Sequence, residues 1–76
     1  MKYYRYTFLL SKPHQHLYYR IKDKQVECFC NERWVLSAFV RLERELQEKA
    51  HRSADRLELL TEGKIFAKFM MEELTS

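Results

Sequence analysis

A period-two alternation of side chains runs through the first thirty residues and constrains the fold of this 76-residue chain more than any other feature. The stretch YYRYTFLL begins at Tyr3 and places tyrosine or another apolar residue at every second position. The polar loop SKPHQH interrupts this pattern, which then resumes over residues 17–22 and 25–30. Successive side chains of a strand point to opposite faces, so the sequence predicts three β-strands.

The spacing between the second and third strands predicts how they pair. A two-residue turn at positions 23–24 places Lys22 opposite Gln25 and Ile21 opposite Val26. This register keeps the apolar side chains of both strands on the same face. The sequence therefore predicts a three-stranded antiparallel meander.

The alternation also divides the aromatic and basic residues between two faces of the predicted sheet. We interpret Tyr4, Tyr6 and Tyr19 as the face that packs against a following helix. The other face carries the candidate binding residues, which are Tyr3, Arg5, Tyr18, Arg20, Lys22 and Phe29. Tyrosine and arginine planes on a sheet can stack unpaired bases, and both residues are also enriched at the centres of protein interfaces.

From Asn31 onward the apolar spacing becomes helical. Asn31 is a favoured N-cap, and Glu32 suits the positive end of a helix dipole. Apolar residues then recur at helical spacing over residues 34–50. Leu36 and Val40 lie outside the main apolar stripe, so the first turns are apolar nearly all round. We therefore expect Leu36 and Val40 to contact a second copy of the chain or a C-terminal helix.

The last third of the chain allows two interpretations. Ser53 can cap a further helix, Gly63 can end it, and residues 65–74 continue at helical spacing. The rival interpretation makes residues 57–70 a β-hairpin that turns near Gly63. The leucines, glutamates and lysines of this region favour helix over strand.

Chain length and composition complete the predicted architecture. Seventy-six residues suffice for a single domain, residues 1–76, with a small core. The fold class predicted is α+β: a three-stranded antiparallel meander followed by two or three helices packed on one sheet face. No apolar run approaches the ~20 residues of a membrane span, and Arg5 interrupts any secretory signal. We therefore expect a soluble cytoplasmic protein.

The cysteines and histidines give little support for a metal site or for catalysis. Cys28 and Cys30 form a C-x-C pair, whereas structural zinc sites separate their cysteines by two to four residues. Both thiols alternate into the predicted core, and no motif ties His14 or His16 to either of them. A single glycine cannot build a phosphate-binding loop. The sequence thus predicts no metal, no cofactor and no enzymatic activity.

The remaining function classes are two kinds of binding. Residues 1–25 carry a net charge of +5 and the other residues −2, which hints at an acidic partner for the basic part. The leading hypothesis is a small non-enzymatic regulatory or adaptor protein that contacts a protein partner or a second copy of itself. The alternative is a single-stranded nucleic-acid binder that uses the basic-aromatic sheet face, although the chain lacks the known RNA-recognition motifs.

Overall fold

The chain folds as an antiparallel sheet that a short helix crosses on one face, and the computed structural model describes residues 1–60. The elements are β1 (Lys2–Phe8), β2 (Gln15–Lys22), β3 (Gln25–Cys30), β4 (Arg33–Leu36), α1 (Glu43–Arg52) and β5 (Arg56–Leu60). The spatial order of the strands is β4-β3-β2-β1-β5. Four strands thus form a meander, and α1 carries the chain back so that β5 pairs with the far side of β1.

The three predicted strands are present as β1, β2 and β3, with the predicted pairing of β2 and β3. Lys22 lies opposite Gln25 and Ile21 opposite Val26. The turn residues at positions 23 and 24 have φ angles of 51° and 66°. Two successive left-handed residues give a turn whose twist matches that of the flanking strands. The hairpin therefore forms without a glycine.

The predicted helix after Asn31 is wrong over its first half. Asn31 and Glu32 have φ angles of 53° and 65°, so they form a second two-residue turn rather than a helix start. The chain returns as β4, with Val35 opposite Cys28. Asparagine tolerates the left-handed region well, and β-branched and aromatic side chains fit a pleated surface. The same residue that can cap a helix here turns a hairpin.

Of the predicted long helix, only the part from Glu43 onward is helical, as α1. Leu42 precedes it in an extended conformation, with φ −122° and ψ 148°. Acidic residues occupy the first turn and basic residues the last, which complements the helix dipole. Leu46 and Ala50 are the buried residues of the helix and face the sheet. The narrow apolar stripe on this segment therefore corresponds to the one face of the helix that contacts the sheet.

The further helix predicted after Ser53 is also wrong within the described residues. Ser53 is the C-cap of α1, and Ala54 adopts φ 55° before the chain enters β5. Leu57 of β5 lies opposite Tyr6 of β1 and packs against the core. Pairing with an otherwise open edge of β1 outweighs the helix propensity of leucine and glutamate.

The fold class is accordingly corrected. Residues 1–60 form a five-stranded antiparallel sheet with one short helix, not a three-stranded meander followed by two or three helices. The helical segment predicted at residues 65–74, and the turn of the rival hairpin near Gly63, lie outside the described residues. No helix within residues 1–60 is long and apolar enough to cross a membrane.

The core lies between α1 and the sheet face that it covers, which we call the inner face. Its buried members are Tyr4, Tyr6, Tyr19, Val26, Val40, Leu46 and Ala50. The hydroxyl of Tyr6 donates a hydrogen bond of 2.6 Å to Asp55, in the loop after α1. Burial raises the pKa of Tyr19 to about 12, because the charged phenolate is disfavoured away from water.

Candidate interaction surfaces

The predicted binding residues share the sheet face opposite α1, which we call the outer face. Tyr3 lies opposite Arg20, and Arg5 lies opposite Tyr18. Lys22 lies two residues after Arg20 and therefore shares its face. Phe29 also lies on the outer face, because its neighbour Cys28 lies opposite Tyr19 of the inner face. The alternation thus groups these residues as predicted. That this face binds a partner stays a prediction.

An aromatic cluster forms the centre of the outer face. Tyr18 is only 7% exposed, and the partly buried Tyr3, Phe29, Trp34 and Leu60 pack against it. The ring centroids of Phe29 and Trp34 are 5.3 Å apart, and those of Tyr3 and Trp34 are 5.8 Å apart. The sequence reasoning missed Trp34 because it assigned this residue to a helix. The burial of Tyr18 makes it a packing residue rather than a stacking platform.

The two arginines of the outer face pair with glutamates on neighbouring strands. Nη2 of Arg5 lies 3.1 Å from Oε2 of Glu58, and Nε of Arg20 donates to Oε1 of Glu27. The hydrogen bond from Arg5 is the main reason that the pKa of Glu58 is lowered. These pairs balance the positive charges that a phosphate backbone would need.

Arg20 also lies over an aromatic ring. Its guanidinium carbon is 4.7 Å from the centroid of Trp34, within cation–π range. Arg20 therefore bridges the ion pair on β3 and the aromatic cluster on β4. These contacts hold the Arg20 side chain in place, and they help to fix the register between β2 and β3.

A second surface lies at the β4 end of the sheet, and we call it the β4 rim: Leu36, the last residue of β4, and Phe39, three residues later. Their exposed fractions are 63% and 94%. Phe39 is thus almost fully exposed although it is a large apolar residue. Within residues 1–60 no strand pairs with the side of β4 that faces away from β3. The rim thus joins exposed apolar side chains to a sheet edge.

The ladder between β3 and β4 determines which backbone groups face outward. Val35 lies opposite Cys28, and the N–H of Ser37 donates to the carbonyl of Val26 at 2.9 Å. Backbone groups of successive residues alternate in direction across an antiparallel ladder. The N–H and C=O of Leu36 therefore point away from β3.

The structure separates the two residues predicted to mediate self-association. Leu36 is exposed, whereas Val40 is 5% exposed and belongs to the core. The N–H of Val40 bonds to the hydroxyl of Ser37 at 3.2 Å, in a loop that directs Val40 inward. Val40 therefore packs within the domain core, and contact of either residue with a second copy or a C-terminal segment stays a prediction. Phe39, which sequence reasoning had placed in a helix stripe, is exposed in its place.

A groove adjoins Phe39 on the side of α1. Its volume is about 460 Å³. One wall is formed by Phe39 and Val40, and the wall on the helix side is formed by Glu45, Glu48, Lys49, Arg52 and Ser53. Charged residues of both signs line the helix wall, so the groove has no dominant charge. It adjoins the β4 rim at Phe39.

The cysteines differ more than the sequence predicted. Cys28 is half-buried and packs against the core, but Cys30 is exposed, which corrects the prediction that both thiols lie in the core. Burial raises the pKa of the Cys28 thiol. Among residues 1–60 no three histidine, cysteine, aspartate or glutamate side chains come together as a metal site would require.

Comparison with known proteins gave no match: neither a family model, nor a curated protein, nor a solved structure resembles this chain.

Proposed function

We propose that this protein is a small non-enzymatic regulatory or adaptor domain that acts through protein–protein contacts at the β4 rim. The observation that carries the proposal is the 94% exposure of Phe39 beside an exposed Leu36 on a sheet edge. Single exposed apolar residues are common on protein surfaces, whereas a group of them on one edge is typical of an interaction site.

The size of these side chains determines how strongly a contact at the β4 rim can be stabilised. Covering a phenylalanine or leucine side chain contributes roughly 1.5 to 3 kcal/mol. Phe39 and Leu36 together therefore supply enough apolar surface for the centre of a contact. The groove beside Phe39 gives a partner a concave surface to fit into. Aromatic anchors that enter a partner's pocket dominate the energies of such contacts.

The nucleic-acid alternative has weaker structural support. Arg5 and Arg20 are both paired with glutamates, and Tyr18 is buried among other aromatic residues. Phosphate binding by either arginine would have to displace its glutamate. The alternative stays a prediction, and binding to a labelled single strand at several salt concentrations tests it, since phosphate contacts weaken steeply with salt.

The experiment compares two exposed apolar residues. Phe39→Ser removes the centre of the β4 rim, and Leu10→Ser removes a residue of similar exposure in the β1–β2 loop. Proteins captured from lysate by the wild-type chain are identified, and one is purified for titration. We expect Phe39→Ser to weaken its binding about tenfold or more, for a loss of about 1.4 kcal/mol, and Leu10→Ser to leave it unchanged.

Two results would contradict the proposal. Equal binding by both variants would show that the β4 rim is not the working surface. Capture that disappears after nuclease treatment, and in Arg5→Glu/Arg20→Glu rather than in Phe39→Ser, would assign the function to nucleic acid and to the outer face.

A further inference from the structure

We propose that the β4 strands of two copies pair antiparallel about a two-fold axis at Val35, which joins the two sheets into one continuous sheet. The proposal rests on the proposed function and specifies its partner as a second copy of this chain. It also specifies which residues of the two β4 strands lie opposite each other, which the exposure of the rim alone does not.

The residues of β4 and the position after it are self-complementary in this register. With Val35 opposite Val35 of the second copy, Leu36 lies beside Trp34 of that copy and Arg33 lies opposite its Ser37. The apolar residues thus meet apolar residues, and the one cation of the strand meets a hydroxyl. Cross-strand apolar pairs of this kind stabilise sheets, whereas like charges placed opposite each other destabilise them.

The backbone supports the same arrangement. The outward N–H and C=O of Leu36 have the direction that an added antiparallel strand needs. Addition of a strand to an open sheet edge is a recurring mode of protein recognition. A small domain with a limited core also gains stability when it associates.

Registers shifted by two residues fit less well. A shift in one direction keeps Trp34 opposite Trp34 of the second copy but places Val35 opposite Arg33 and Leu36 opposite Glu32, so two apolar side chains face charged ones. A shift in the other direction carries the pairing into residues 38–39, where the chain bends away from the strand. The register centred on Val35 uses the whole length of β4.

Disulfide cross-linking tests the register. In a background with Cys28→Ala and Cys30→Ser, Val35→Cys places two thiols in a pair whose Cα atoms are ~4.5 Å apart, within disulfide geometry. Leu36→Cys is the matched control: it is more exposed, but the two copies of residue 36 are offset along the strands by about 7 Å and cannot be bridged. We expect mild oxidation to cross-link Val35→Cys at least tenfold faster than Leu36→Cys.

A second variant tests the pairing in the chain with its native cysteines. Leu36→Pro removes an N–H that points away from β3, which an edge strand tolerates, but it blocks an added strand. We expect light scattering to show a dimer for the wild type and for Leu36→Ala at high concentration, and a monomer for Leu36→Pro with an unchanged circular dichroism spectrum.

Each outcome decides between specific alternatives. A monomeric wild type, or faster cross-linking of Leu36→Cys than of Val35→Cys, overturns the β4 pairing. If either occurs while Phe39→Ser still loses a captured protein, the proposed function stands with a different partner. If the dimer forms as described but no captured protein depends on Phe39, self-association is the only contact of the rim.

Discussion

The two faces of the sheet are held by different polar contacts. On the inner face, tyrosine hydroxyls of β1 bond to carboxylates of the crossover: Tyr4 donates to Glu43, and Tyr6 donates to Asp55. Glu43 begins α1 and Asp55 follows it, so these two bonds attach both ends of the helix to the same strand. Burial, and after it the hydrogen bond to Glu43, raises the pKa of Tyr4, whereas the hydrogen bond from Tyr4 is the main reason that the pKa of Glu43 is lowered.

On the outer face the polar contacts run between strands. Arg5 on β1 pairs with Glu58 on β5, and Arg20 on β2 pairs with Glu27 on β3. Each pair joins residues directly opposite in the register. The two sets of contacts therefore act on different neighbours: the inner contacts attach the helix to β1, and the outer contacts support the pairing of adjacent strands.

The largest effect is expected from Tyr6→Ala, which breaks the inner face. Tyr6 has no exposed surface, so its truncation should lower the free energy of unfolding by about 3 to 5 kcal/mol. Tyr6→Phe keeps the ring and removes only the bond to Asp55, so it should cost about 1 to 3 kcal/mol. Urea unfolding measures both. An equal loss in the two variants would mean that the hydroxyl, not the ring, holds the inner face together.

Substitution of the two cysteines tests how the burial of side chains decreases along β3 from Cys28 to Cys30. Cys28→Ser places a hydroxyl in a half-buried apolar site and should cost about 1 to 3 kcal/mol. Cys30→Ser lies on the same strand but is exposed, so its effect should stay within about 0.5 kcal/mol. Thermal melts of the two variants provide the comparison. A larger effect at Cys30 would contradict the burial described for β3.

Reversal of one charge tests the outer face. Arg20→Glu places two carboxylates opposite each other and removes the cation from the ring of Trp34. We expect a loss of about 1 to 2 kcal/mol in chemical unfolding. The swapped variant Arg20→Glu/Glu27→Arg should recover part of it, because the ion pair forms again. No recovery would assign the effect to the Trp34 contact alone.

The smallest effect concerns acid stability at the β1–β5 junction. The pKa of Glu58 is lowered from its ordinary value of 4.5, chiefly by the hydrogen bond from Arg5. A lowered folded pKa means that this stabilisation is complete above the ordinary value and is lost as pH falls through the folded value. Both side chains are partly exposed, so Glu58→Gln should cost less than about 1 kcal/mol at pH 7. Unfolding curves at pH 7 and pH 3 should show the gap between variant and wild type narrowing in acid.

The errors of sequence reasoning fall at positions whose local signals suit two structures. Asn31 is a good helix cap and a good turn residue, and the apolar spacing after it suits a helix as well as a strand with a loop. Helix propensity favoured a helix at residues 57–60, but the open edge of β1 selected a strand. Leu36 of the β4 rim was predicted as a contact residue, but Phe39 was missed, since its exposure depends on the bend between β4 and α1.

The sequence by itself determined the first three strands, their turn and their two faces. A period of two leaves only one way to divide side chains between core and surface, and a two-residue turn leaves only one register. Only the tertiary structure decided that β4 and β5 extend the sheet, that Val40 is buried and that Phe39 is exposed. These outcomes depend on which sheet edges are open and on which surfaces α1 covers, and both are set by contacts between segments far apart in the chain.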